Sequence, residues 1–374
     1  MNRRPSKSRS VYDSFSPRHT ARLRIHTPDA DFFETRKRKP LFSWLLVLPL
    51  IAAALLFLGN YAANQFVHVT RITVPVRGLG AAFDGFTILH LSDLKGRRFG
   101  GQQGLFEMAI SGKEFDLVVM TGDMISLLGN EQPFYTLLDR LGEAAGDVPI
   151  YCIAGDDDPL PASMDYAASG SPFAPWVLGA QRRGAQLLSS PVLIEREGKR
   201  IWLTTSAQLS LDLDAMQSQY ERQYLEALEK QDENEIELAA YHLDSLEKTR
   251  SARAEMTWED TYIALTHVLP GAQDYGALTP AFLSSSIDLM LGGHYLGGLI
   301  RLPGVGPLFV PSREEMHYGI LPGDGVYAGL SRRDSTWLYA SPGLGAWDGI
   351  YPKWFFRLFN PPTVTLITLT VSAL

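Results

Sequence analysis

Five segments of this chain share one design: an apolar, β-prone run that stops at a turn carrying acidic or imidazole side chains. Thr87-Ile-Leu-His-Leu-Ser-Asp-Leu-Lys95 is the first, and Asp116-Leu-Val-Val-Met-Thr-Gly-Asp123 the second. Pro149 to Asp158, Tyr262 to His267 and Ile287 to His294 complete the set. Short apolar runs bounded by turn residues predict buried strands. Strand ends that converge on one edge of a sheet are where α/β proteins place ligands. Five such ends tipped with Asp and His therefore predict a metal-centred site.

Between these runs the pattern is strand, turn, helix, strand. Arg71 to Val76 reads as an edge strand, because Pro75 cannot donate to a central ladder. Val192–Glu197 and Arg200–Thr205, joined at Gly198, read as a hairpin in a second sheet. The expected fold is α/β: two mixed sheets packed face to face and flanked by helices. No Gly or Pro occurs from residue 199 to 269. Within that stretch Met216, Tyr220, Tyr224 and Leu228 recur at helical spacing, and so do Ile236, Ala239, Leu243 and Leu246. The pattern predicts a long helix or helical hairpin, inserted at about 209–257. It either packs on its own domain or serves as a lid or an arm for a protein partner.

The N-terminus has a different character. Residues 1–40 are rich in Arg, Lys, Ser and Pro and read as a disordered, basic, cytoplasmic tail. Leu41 to Ala63 contains no charged residue. At about 1.5 Å per residue it reaches about 34 Å, the length of a single transmembrane helix. Residues 1–64 carry a net charge of +7 and the whole chain −7, which leaves −14 on the rest. The positive-inside rule then places residues 64–374 outside the cell membrane. An outer domain this acidic argues against nucleic acid as a partner. The single cysteine, Cys152, excludes a disulfide within one chain.

The order of polar tips also carries a resemblance. Asp93-Leu-Lys95, Gly122-Asp123, Gly155-Asp156-Asp157-Asp158, His267 and Gly293-His294-Tyr295-Leu296 follow the series Asp-x-His, Gly-Asp, Gly-Asn-His-Asp, His, Gly-His-x-His. In that order the chain resembles the calcineurin-like metallophosphoesterases. The run Gly297 to Pro311 and the segment Phe356 to Pro362 resemble the bacterial membrane-anchored branch of that family. The resemblance implies an α/β/β/α sandwich and a site for two divalent ions about 3.5–4 Å apart that polarise a phosphoryl group.

Carried over position by position, the first ion would fall to Asp93, Lys95, Asp123 and Leu296. A protonated lysine has no lone pair to give and leucine offers nothing. The second ion would fall to Asp123, Asp156, His267 and His294, all competent ligands. Asp157 stands where the family places a histidine that assists the leaving group. The expected cofactor is one divalent ion (Mn, Fe, Zn and Mg are not distinguished) or none. Lys95 could fill the place of the missing ion. Two functions follow: a membrane-anchored phosphoester or pyrophosphate hydrolase with a one-metal site, acting on a phosphorylated small molecule or lipid head group, or an inactive family member that binds or scaffolds at the cell envelope.

Overall fold

The computed structural model describes residues 40–126, 129–167, 170–270, 287–311, 319–322, 325–346 and 357–372. Of the basic tail read over residues 1–40, residues 1–39 lie outside these segments, as does Phe356. The chain divides into two units, residues 1–54 and 55–374. The first helix, α1 (Pro40–Ala63), runs through the boundary. Among the described residues no helix is long and apolar enough to cross a membrane. The described side chains of α1 begin at Val47, and Leu48, Leu50, Leu55, Leu56 and Leu58 among them are exposed.

Two six-stranded mixed sheets form the body of the second unit. The first runs β1 (His68–Val76), β15 (Thr363–Val371), β2 (Thr87–Leu91), β3 (Leu117–Thr121), β4 (Ile150–Ile153), β5 (Ala185–Leu187). The second runs β13 (Gly329–Arg333), β14 (Thr336–Ala340), β9 (Leu289–Gly292), β8 (Thr261–Leu265), β7 (Lys199–Thr205), β6 (Val192–Arg196). Strands β2 to β5 are mutually parallel, as are β7, β8, β9 and β14. Pro75 lies on the edge strand β1, and β6 and β7 form the antiparallel hairpin. A small third sheet holds β10 (Ile300–Leu302), β11 (Gly306–Val310) and β12 (Gly319–Ile320).

Alternation along each strand explains the continuous apolar runs, since both faces are covered. Ile88, Leu117 and Val119 face the second sheet and pack with Leu203, Ile263, Leu265, Leu289 and Leu291. Leu89, Leu91, Val118 and Met120 point the other way. They pack with Phe106 of α2 (Gly104–Ile110), Phe134 of α3 (Gln132–Ala145) and Trp176 of α5 (Pro175–Gln181). The short α4 (Met164–Ala167) precedes α5. On the far side of the second sheet, Trp202 and Tyr262 pack with Ala252.

Ala252 belongs to the helical insertion. It comprises a one-turn helix α6 (Ser206–Ser210) and a hairpin of α7 (Leu213–Lys230) and α8 (Glu233–Glu255). Each start is capped in the way its sequence demands. Thr205 and Gln208 form a reciprocal capping box, and Asp212 and Asp232 accept from backbone N–H groups of the next turn. Gln231 adopts a left-handed conformation and ends α7.

His90 is fully buried between the sheets. Its Nε2 is 2.8 Å from Thr121 Oγ1, its ring meets the edge of Tyr339 at 5.7 Å, and Nδ1 has no hydrogen-bond partner. Burial pushes this imidazole down to about 3. The unfolded chain binds a proton below about pH 6.5 and the folded chain does not. Stability should therefore be lost as pH falls from about 6.5 towards 3, with a limiting slope of about 1.4 kcal/mol per pH unit. Urea unfolding of the wild type and of His90→Gln across that window tests this. A slope that the substitution leaves unchanged would show that another group controls acid unfolding.

Candidate metal centre

The parallel strands of both sheets end on one edge, and their C-terminal turns meet there. Asp93 and Lys95 follow β2, Asp123 follows β3, and Asp156 and Asp157 follow β4. His267 follows β8 and His294 follows β9. Contact between these turns is made by backbone. Asp93 N donates to Gly122 O at 2.9 Å and Lys95 N to Asp123 O at 2.8 Å. Asp157 N donates to Asp123 Oδ1 at 2.7 Å, and His294 N lies 3.1 Å from both Asp93 oxygens. A Cβ on Gly155 would stand 2.4 Å from Asp123 N and Oδ1, so only glycine lets the β3 and β4 turns touch. Asp93, Lys95, Asp123 and His294 all have positive φ, between 48° and 71°. That backbone costs about 1 kcal/mol or more per non-glycine residue, and such strain gathers at functional sites.

Two groups of potential ligands result: Asp156, His267 and His294, and Asp93, Asp123 and His267. His267 belongs to both. Its Nε2 is 3.3 Å from Asp123 Oδ2 and 3.8 Å from Asp156 Oδ2, and His294 Nδ1 is 3.1 Å from Asp156 Oδ2. The sequence places Asp123 in both ligand sets, and the atoms that converge keep it with Asp93 and His267. Its Oδ2 is also engaged from the other side.

That engagement is Lys95. Its ammonium lies 2.5 Å from Asp123 Oδ2 and 2.6 Å from Asp157 Oδ2, with the lysine side chain only 6% exposed. Burial by itself lowers the hold on the proton. Asp123, Asp93 and Asp157 together outweigh it and hold the ammonium firmly charged. Burial would raise Asp123, yet His267 and Lys95 keep it ionised well below the usual carboxylate range. Asp93 goes the other way, raised chiefly by burial. The hydrogen bond from His294 lowers Asp156.

The donor chemistry of the outer group fits a divalent ion. His267 Nδ1 lies 2.7 Å from the Thr121 carbonyl oxygen, so this nitrogen carries the hydrogen. In the neutral ring Nε2 is then the lone-pair nitrogen, buried and aimed between Asp123 and Asp156. An imidazole oriented by a backbone carbonyl behind it is the usual support of a metal ligand. Burial would lower His267, but Asp123 and Asp93 push it up to about 9. A cation at Nε2 competes with that proton. Asp156 is half exposed, so the outer group is open on that side.

Neighbouring candidates resolve into supports. Asp158 accepts from Gly155 N and Ile125 N and closes the β4 turn. Arg301 donates to Gly297 O. Leu296 is fully buried and packs toward Gly343. The sequence reading missed Arg357, a fully buried side chain whose guanidinium donates to the carbonyls of Leu296, Pro342, Gly343, Gly345 and Asn360. Gly345 N in turn donates to Asp93 O, so Arg357 braces the floor beneath Asp93. It sits in the Phe356 to Pro362 segment that the sequence singles out, but its role there is not readable, because all its hydrogen-bond acceptors are backbone carbonyls.

No family model matches the chain, and no curated protein matches it. Among solved structures it is similar to phosphopantetheinyl hydrolase (PptH) from Mycobacterium tuberculosis. That match has a TM-score of 0.37 and 13% identity over 75% of this chain and 97% of that one. It is also similar to TT1561 of Thermus thermophilus, with a TM-score of 0.33 and 11% identity over 69% and 89% of the two chains. Likeness at this level carries no argument about chemistry.

Lys95 bridges two buried carboxylates, so removing its charge leaves them facing each other. Lys95→Met should lower the unfolding free energy by about 3–5 kcal/mol, measured by urea denaturation. A midpoint equal to wild type would mean that the ammonium is not a structural counter-ion.

Proposed function

We propose that this chain is a metallophosphoesterase-like protein that holds a phosphoester with one divalent ion and one fixed ammonium, and hydrolyses it. The observation that carries the reading is Lys95, seated among Asp93, Asp123 and Asp157 directly beside the convergent donors Asp156, His267 and His294. Asp156, His267 and His294 would hold the ion, with Asp123 Oδ2 against His267. A divalent ion there supplies Lewis-acid polarisation of a phosphoryl oxygen. The residues do the rest. Lys95 is too buried to reach far, so it acts through its charge and offsets the carboxylates that would otherwise repel a phosphate. The Thr121 carbonyl fixes the His267 ring. Half-exposed Asp156 and the adjacent His294 line the side from which substrate arrives.

One observation favours the second reading, a binding protein that does not turn over. Asp157 is committed to Lys95 at 2.6 Å, which ties up the residue that the resemblance would place beside the leaving group.

Elemental analysis of the purified full chain should find at most one divalent ion per chain, absent from His267→Ala and His294→Ala. With bis-p-nitrophenyl phosphate, metal-dependent turnover by the wild type that Lys95→Met abolishes supports the hydrolase. Turnover that appears only after Lys95→His, Leu296→His and Asp157→His are combined identifies a binding protein. Two tightly held ions in the wild type would overturn the one-ion site.

We further propose that the whole uncharged run Leu41–Ala63, which extends beyond the described side chains of α1, anchors the protein in the cell membrane, with the basic tail in the cytoplasm and the acidic domain outside. The reading is supported by the uncharged run Leu41–Ala63, the exposed apolar side chains of α1 and the charge asymmetry across it. Protease added to intact cells should remove the domain. Its survival, when a known outer-surface protein is cleaved, would reverse the orientation.

A further inference from the structure

A cavity of about 460 Å³ opens between the helical insertion and the sandwich. This size lies within the usual range of small-molecule pockets, about 300–1,000 Å³. Its placement is specific. Ile153 and Ala154 line it just before the Gly155–Asp158 turn, and Leu160 to Ala162 line it just after. The turn that presents Asp156 to the metal centre is therefore bracketed by the cavity wall. Leu187 and Leu188 at the end of β5 and Thr205 at the end of β7 extend that wall. These strands neighbour β4 and β8, and their C-terminal ends lie on the same edge as the metal donors. The opposite wall is the hairpin, which contributes Met216 and Tyr220 from α7 and Tyr241, Ser245 and Leu246 from α8.

The lining decides the ligand chemistry. Among the described residues no Asp, Glu, Lys or Arg borders the cavity, although the chain is one-fifth charged. Aliphatic side chains dominate the sandwich wall, and His242 is stacked flat on Tyr220 at 4.6 Å. The hairpin is held in position by bonds to the backbone of the cavity wall and between its own helices: Arg253 donates to Leu211 O and Gln208 O, and Arg250 donates to Gln217. An uncharged apolar group would lose water on both sides here with no ionic partner to desolvate.

We infer that this cavity receives the uncharged alkyl arm of an amphiphilic phosphoester whose phosphoryl group lies at Asp156, His267 and His294. The inference rests on the function proposed above and adds the substrate class. Leu160, 70% exposed, lines the cavity two residues after the Asp158 that closes the turn.

The test uses the full chain in detergent and an octyl p-nitrophenyl phosphate diester carrying a terminal diazirine. After illumination, peptide mass spectrometry locates the label. Label on residues 153–162 and 216–249 is expected. It should fall about tenfold in Ala162→Trp and in Ser245→Trp, which fill the cavity from opposite walls. Unfolding midpoints identify any variant that fails to fold, and the other then decides. Equal labelling in both folded variants, or label confined to α1, overturns the inference. Labelling needs no turnover, so the two readings fail separately. A chain that labels as expected but never hydrolyses keeps the cavity assignment and loses the hydrolase. A chain that hydrolyses methyl and octyl esters with the same KM, and does not label, loses only the cavity assignment.

Discussion

The rest of this site depends on a single buried ammonium. Four carboxylates, Asp93, Asp123, Asp156 and Asp157, stand at the ends of three adjacent parallel strands. Their mutual repulsion in a partly desolvated edge would force protonation or separation. Lys95 resolves the conflict through two contacts of 2.5 and 2.6 Å. With it in place, Asp123 stays ionised beside His267, and the turns after β2, β3 and β4 lie close enough for backbone hydrogen bonds to join them. The lysine also divides the centre. The inner half is satisfied by protein alone, and the outer half presents donors toward solvent.

The architecture around that lysine is built to hold a strained geometry. Left-handed backbone at Asp93, Lys95, Asp123 and His294 is tolerated because each turn is clamped by a neighbour. Arg357 extends the clamp from below. Its five donors are met by five carbonyls, and its own carbonyl accepts from Asn60 and Asn64 at 2.8 and 2.9 Å. Through these bonds the residues at the end of α1, the segment before β15 and the floor under Asp93 form one hydrogen-bonded block. A guanidinium with no carboxylate partner among the described residues suits this role, since it satisfies carbonyls that secondary structure leaves unpaired.

The helical hairpin serves the same edge from the outside. Its apolar stripe is too short of partners to bury itself within two helices, so it lies against the second sheet and the β4–β5 side. An imperfect fit there leaves an uncharged cavity beside a charged centre. Two chemistries thus meet at the Gly155–Asp158 turn, polar on one flank and apolar on the other.

Much of this was legible in the sequence. The five apolar runs, Pro75 on an edge strand, the β6–β7 hairpin and the helical insertion follow from period, turn residues and the absence of Gly and Pro, because these are local properties of the chain. So is the identity of the polar residues at each strand end, since a strand end is defined by the same pattern. What those residues do to one another was decided only in three dimensions. That Asp123 is held by Lys95, that Thr121 orients His267, that Asp157 is taken by Lys95, and that Arg357 supports the floor all depend on contacts between residues far apart in the chain. No local period encodes them, and several of their partners are backbone atoms with no letter of their own. The sequence determined which chemical groups reach this edge, and the packing of two sheets determined which of them remain available for a ligand.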